Sequence, residues 1–214
     1  MTALQRGLRR YLDESDLQAI QRTKIGIAGA GGLGSNCAQL LARSGFINFV
    51  LVDFDHVENS NLNRQFYFED QISQPKVQSL ADNLRRINPE VSIRMVQERI
   101  TPENLGEFFA DCDVVVEAMD TPECKQMLAE SYSRSGKLLV AASGLAGWGD
   151  SDRIKVHRIH SRFYLIGDLT SGVEHGLPTM APCVTIAAAK QADIVLSWVL
   201  GDLPVGKQGG AEVW

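Results

Sequence analysis

Several short apolar runs recur along the chain, separated by stretches with a helical period. The runs at 25–28, at 114–119 and at 138–142, and the run that ends at Asp53, are almost wholly apolar. They are too hydrophobic to face water on either side, which is the pattern of strands buried in a parallel sheet. Helical segments fall between them. The proline at 75 and the Asn88-Pro89 pair bracket a helix through about Ile87, with Ser73 or Gln74 near its cap. Further helices are expected at 102–110, 122–133 and 183–200, and an alternating strand at 91–97. Two shorter, polar-alternating strands at 152–159 and 162–166 read as an antiparallel pair, while 56–71 reads as a loop with one or two short turns. Residues 1–23 form a helical lead-in with a stripe of Leu4, Leu8, Leu12, Leu17 and Ile20.

Strands alternating with helices predict a doubly wound α/β fold: a Rossmann-like, mostly parallel sheet with an antiparallel C-terminal extension. One domain spanning 1–214 suffices. Within it, 150–180 carries the antiparallel strands and a crossover loop with Gly172, Gly176 and Pro178, and 205–214 is a flexible tail.

The turn after the first strand carries the first chemistry. Gly29, Gly31 and Gly34 stand at the G-x-G-x-x-G spacing, with Gly32 between, and open a helix. Missing side chains there permit a tight turn and let backbone N–H groups approach a phosphate at the helix N-terminus. Asp53, about twenty residues on at a strand end, is placed to accept hydrogen bonds from ribose hydroxyls. Those features specify a nucleotide without saying which one.

Composition narrows the partners. A net charge of −5 with a pI near 5.4 argues against a broad nucleic-acid surface. No apolar run approaches the roughly eighteen residues that span a bilayer, and the charged N-terminus lacks a signal-peptide core, so no membrane role and a cytoplasmic location are expected. Cys37, Cys112, Cys124 and Cys183 are scattered with no C-x-x-C pair, so no zinc is expected and reduced thiols are the default. His157, His160 and His175 lack ligand spacing, and His56 reads as a loop residue.

Downstream charge separates the nucleotides. An NAD-dependent oxidoreductase fits the glycines and Asp53, but its pyrophosphate has little use for the further cations Arg64 and Lys76. A triphosphate does. Lys76 also lies in a helix's first turn, where a cation opposes the dipole unless an anion lies close. Asp120, at another strand end, suits Mg²⁺ held by one or two carboxylates and substrate phosphates; alternatively Asp120 or Thr121 caps the next helix. Asp55 reads as a supporting partner or a turn residue. Cys183, at the start of the last helix, is either a thiol activated by the helix dipole or a buried structural residue.

GAGGLG, VDFD followed by SNLNRQF, QPKV with RINP, and DVVVEAMD, in that order over about residues 20–200, resemble the superfamily of ThiF, MoeB and the adenylation domains of ubiquitin-activating enzymes, most of all the short ThiF-type adenylyltransferases. The resemblance implies ATP-dependent activation of a ubiquitin-like sulfur carrier (ThiS-like) ending in Gly-Gly, for the thiazole of thiamine. Other carriers, such as the molybdopterin type, or a tRNA base are the alternatives. Carried onto matching positions, Asp53 holds ribose, Asn61, Arg64 and Lys76 contact phosphates, and Asp120 binds Mg²⁺. Members also act as homodimers in which an N-terminal arginine reaches the partner's nucleotide, here Arg6, Arg9 or Arg10. The chain departs from some relatives in having no cysteine at 167–179 and no zinc-binding cysteine pairs. Both departures bear on sulfur transfer and not on adenylation.

Overall fold

A computed structural model describes residues 2–170 and 178–201. The expected tail at 205–214, Gly172 and Gly176 of the expected crossover loop, and His175 lie outside the described residues. The strands are β1 (Lys24–Ala28), β2 (Asn48–Val52), β3 (Ser92–Val96), β4 (Val114–Glu117), β5 (Leu138–Ala142), β6 (Lys155–His160) and β7 (Phe163–Gly167). They form one sheet in the order β3-β2-β1-β4-β5-β7-β6. Every neighbouring pair is parallel except β6 with β7. From β1 the chain winds outward through β2 and β3, then returns to β4 on the other side. The order therefore reverses between β1 and β4, and the crevice at their carboxyl ends is where such folds bind ligands.

The helices are α1 (Ala3–Leu8), α2 (Glu14–Arg22), α3 (Gly32–Arg43), α4 (Lys76–Ile87), α5 (Leu105–Phe108), α6 (Pro122–Tyr132) and α7 (Ala181–Leu200). Ile25 and Ile27 of β1 and Val114 and Val116 of β4 point to the layer of α2, α3, α4 and α7. Ala28 and Val115 point to α5 and α6. That alternation is what makes the central strands apolar throughout.

Four boundaries correct the sequence reading. The lead-in is two helices, because Asp13 accepts a hydrogen bond from Asp16 N–H and starts α2 afresh; of its stripe, Leu17 and Ile20 are buried. At α4 neither Ser73 nor Gln74 caps; Pro75 takes the cap position without a side-chain bond. α5 is a single turn, shorter than 102–110. The helix α7, 20 residues with mean hydropathy 1.4, is long and apolar enough by composition to cross a membrane, contrary to the expectation that no run approaches that length. It packs instead on α3, α2 and β5, with Cys183, Ala187, Ala188, Ile194 and Val195 buried, as the core helix of one sheet face.

Candidate functional site

The glycines after β1 divide the work between them. Gly29 has φ +96°, a left-handed conformation that an L side chain rarely takes. A Cβ on Gly34 would stand 1.8 Å from Gly29 O, so α3 sits directly on the turn. Gly32 meets α7 in the same way, its Cβ position lying 2.9 Å from Val184 Cγ1. Gly31 differs. It is extended at the N-cap of α3, and a Cβ there would find nothing nearer than Gln65 Nε2 at 3.9 Å. Its missing side chain therefore opens space in front of unpaired first-turn N–H groups. That space belongs to a cleft of about 950 Å³ at the β1/β4 reversal.

Asp53 follows β2 and braces this turn. Its Oδ2 accepts a hydrogen bond from Ala30 N–H at 2.6 Å and its Oδ1 one from Asp55 N–H at 2.8 Å. Tyr67 fixes the other side of the same residue, its hydroxyl donating to Ala30 O at 2.7 Å. Burial pushes the Asp53 carboxyl above its ordinary value, against the lowering effect of Lys76 and the two N–H donors. A raised folded-state value stabilises the fold fully at pH below the unfolded value and loses that stabilisation as pH rises through the folded one. The contribution of Asp53 to stability therefore declines as pH rises from the acid side. Asp53→Asn keeps an acceptor for one of the two N–H groups and sets an amide NH2 against the other, so its melting temperature is expected to fall below the parent's at pH 7, with nucleotide affinity lowered about tenfold. An unchanged or raised melting temperature would show that relieving the burial of the carboxyl outweighs the lost N–H bond.

The cations line the wall beside Asp53. Lys76, the first residue of α4, is 7% exposed, and its Nζ donates to Asp55 Oδ2 at 3.0 Å. The anion that this helix-first-turn cation requires is supplied within the chain by Asp55, a pairing that only the tertiary fold reveals. Arg64 Nη1 donates to Ser60 O at 2.9 Å and Asn63 Oδ1 at 2.8 Å, while Asn36 of α3 donates to Arg64 O at 2.8 Å. Asn61 is buried, with Oδ1 accepting from Glu58 N–H at 3.1 Å and Nδ2 at a long 3.4 Å from Ser60 Oγ.

On the opposite wall, Thr121 Oγ1 accepts from Cys124 N–H and caps α6. That settles the capping alternative. Asp120 is exposed, borders the cleft and accepts no hydrogen bond from the described residues. Gly29, Gly31, Gly32, Asp53, Asn61, Arg64, Lys76 and Asp120 all line this one cleft, with Gly34 packed beneath it. Among the described residues no group of three or more His, Cys, Asp or Glu could hold a metal alone. A divalent cation at Asp120 would need oxygen ligands from a bound substrate, a donor set that suits Mg²⁺.

The sequence reading missed four residues in and around the cleft. Arg99 lies over the Phe54 ring at 3.8 Å, and both border the cleft beyond β2 and β3. Glu117 at the end of β4 pairs with Lys125 of α6, which lines the cleft; the one available signal was a carboxylate inside an apolar run. Arg6, Arg9 and Arg10 do not line the cleft of their own chain, and Arg9 pairs with Glu14 at 2.6 Å.

The cysteines separate by burial. Cys183 is 2% exposed and packed in the core, Cys37 is fully buried, and burial pushes the Cys112 thiol up to about 12. Cys124 is partly exposed on the cleft wall. At neutral pH a disulfide thiol reagent is expected to titrate one of the four thiols quickly, Cys124, and all four after unfolding. A second fast thiol in the native protein would contradict this packing.

A model described as the ThiF family matches residues 3–209. The chain is 30% identical over 190 residues to the adenylyltransferase and sulfurtransferase UBA4 of Candida glabrata, covering 85% of this chain and 43% of that protein. It is 33% identical over 153 residues to the tRNA threonylcarbamoyladenosine dehydratase of Escherichia coli, covering 70% and 57%. With the molybdopterin-synthase adenylyltransferase of Escherichia coli, identity is 31% over 199 residues, covering 90% and 79%. The chain thus spans less than two thirds of the length of the first two relatives. Among solved structures, the Escherichia coli tRNA N6-threonylcarbamoyladenosine dehydratase in complex with ATP shares the fold, with a TM-score of 0.83 at 24% identity over 91% of this chain and 93% of that one.

Proposed function

The chain belongs to the ThiF family, and from that premise we propose that it is an ATP-dependent adenylyltransferase activating the C-terminal Gly-Gly carboxylate of a ubiquitin-like sulfur carrier. The products are an acyl-adenylate and pyrophosphate. One observation carries the reading: a single cleft combines the open helix N-terminus at Gly31, the cations Arg64 and Lys76, and the carboxylate of Asp120, which has no partner among the described residues. That set suits a triphosphate and a divalent cation better than the pyrophosphate of NAD.

The carrier's carboxylate is ionised at neutral pH, so the attack on the α-phosphate requires no general base. Catalysis rests on placement and on charge neutralisation. The N–H groups of the first turn of α3 receive phosphate oxygens. Lys76 turns from Asp55 toward the phosphates, and Arg64 meets them from the loop. Asp53 accepts a ribose hydroxyl on lone pairs that its bonds to Ala30 and Asp55 leave free. Asp120 would hold Mg²⁺, which when bound neutralises charge on the departing pyrophosphate.

The finer assignment, a ThiS-like carrier for the thiazole of thiamine, is supported by the motif order; the matched relatives are named for sulfur transfer, for molybdopterin synthase and for tRNA. In a homodimer, an arginine from the N-terminal segment of a second copy would complete the site. Incubation with ATP, Mg²⁺ and candidate substrates, followed by mass spectrometry, separates the readings. An AMP adduct on a Gly-Gly-ended carrier supports this one, and an adduct on tRNA supports activation of a base. Neither adduct, with tight NADH binding, overturns adenylation.

A further inference from the structure

The sheet splays where the cleft opens. The β4–β5 ladder ends at the pair Val116 with Val140, whereas β4 continues beside β1 to Glu117 and β5 beside β7 to Ala142. The gap between the two strand ends is closed from both faces. From α7, Gln191 Nε2 donates to Glu117 O at 3.0 Å and Val140 O at 3.3 Å. From α6, Lys125 Nζ donates to Glu117 Oε1 at 3.0 Å, Glu117 Oε2 at 3.2 Å and Ala142 O at 2.9 Å. The three ammonium donors thus have three acceptors. Glu117, 1% exposed, also accepts from Met119 N–H at 2.7 Å just beyond the end of β4.

The segment 118–124 is consequently pinned at both ends by one ion pair, and Asp120 projects from its middle. Ala118, in the same segment, walls the glycine turn: a Cβ on Gly29 would meet its carbonyl oxygen at 2.7 Å. We propose that Glu117 and Lys125 form a positioning clamp that fixes where the Asp120 carboxylate stands relative to the glycine turn. The clamp serves the placement of a divalent cation against the nucleotide, and so rests on the reading of Asp120 given above. Lys125 touches no reacting atom in this role; its donors are already used.

The test replaces the pair together, Glu117→Leu with Lys125→Met, because apolar groups of similar volume leave no stranded buried charge. With Mn²⁺ and α,β-methylene-ATP as probes, Mn²⁺ affinity is expected to fall about tenfold. Turnover in pyrophosphate exchange should fall about 10²-fold with KM for ATP within about threefold. In the protein without nucleotide, the Met119 amide should exchange with solvent at least about tenfold faster. Lys125→Arg, which preserves the ionic pairing, should recover most of the Mn²⁺ affinity. A folded double variant with parental Mn²⁺ affinity and parental Met119 protection overturns the clamp. Should the double variant fail to fold, Lys125→Arg and Lys125→Gln decide: affinity kept in the first and lost in the second supports the clamp, and equal behaviour overturns it. If the parent binds no Mn²⁺ with the nucleotide, the metal role of Asp120 fails, and the clamp stands or falls on Met119 exchange alone.

Discussion

Asp120→Ala is expected to lower pyrophosphate exchange about 10³-fold while moving the melting temperature by less than about 2 °C. The separation follows from the position of the side chain. Its carboxylate is exposed, accepts no hydrogen bond from the described residues, and leaves the capping of α6 to Thr121. No contact among the described residues depends on it, whereas on the proposed reading it holds a cation against the phosphates. Exchange assays beside thermal melts check both halves. Parental exchange would remove Asp120 from the site, and a loss of activity matched by a large drop in melting temperature would make it structural.

The second large effect contrasts two glycines of one motif. Gly34→Ala should destabilise the protein by at least about 3 kcal/mol, or prevent folding, since the new Cβ would lie 1.8 Å from Gly29 O in backbone that cannot retreat. Gly31→Ala has room, with the nearest atom at 3.9 Å and φ at −76°. Its stability should stay within about 1 kcal/mol of the parent and can rise, because alanine restricts the unfolded chain. ATP affinity should nevertheless fall at least about tenfold, as the methyl occupies space in front of the helix N-terminus. Equal destabilisation of the two variants would mean that Gly31 also serves the turn, and an unchanged ATP affinity in Gly31→Ala would move the phosphates elsewhere.

These glycines show what the sequence could and could not convey. The G-x-G-x-x-G spacing locates the turn, because strand, turn and helix must follow one another there. It cannot distinguish Gly34, which the fold demands, from Gly31, which the ligand demands, since that depends on how closely the folded turn brings Gly29 O and Ile27 to the first and how far Gln65 stands from the second. The central strands were legible because burial on both faces removes polar residues, and α4 because Asn88-Pro89 stops it. The break between α1 and α2 was hidden, as the leucine stripe runs through it while the cap at Asp13 is a competing local preference. The insertion of β7 between β5 and β6, parallel to one and antiparallel to the other, is a crossover property that the alternation of residues 152–166 does not encode.

The charged residues follow the same division. Arg64, Lys76 and Asp120 were selected by type and position, and the fold gathers them on one cleft. Their partners came only with the structure. Lys76 rests on Asp55, and the Asp120 segment hangs between Glu117 and Lys125. Such pairings join residues on different elements, and neither spacing nor periodicity marks them.

The most direct measurement is exchange of labelled pyrophosphate into ATP, with Mg²⁺ and carrier proteins that do or do not end in Gly-Gly. The expected result is exchange that requires a free Gly-Gly carboxylate and disappears when that terminus is extended by one residue. Absence of exchange with every carrier, together with tight binding of NADH in the cleft, would contradict adenylation.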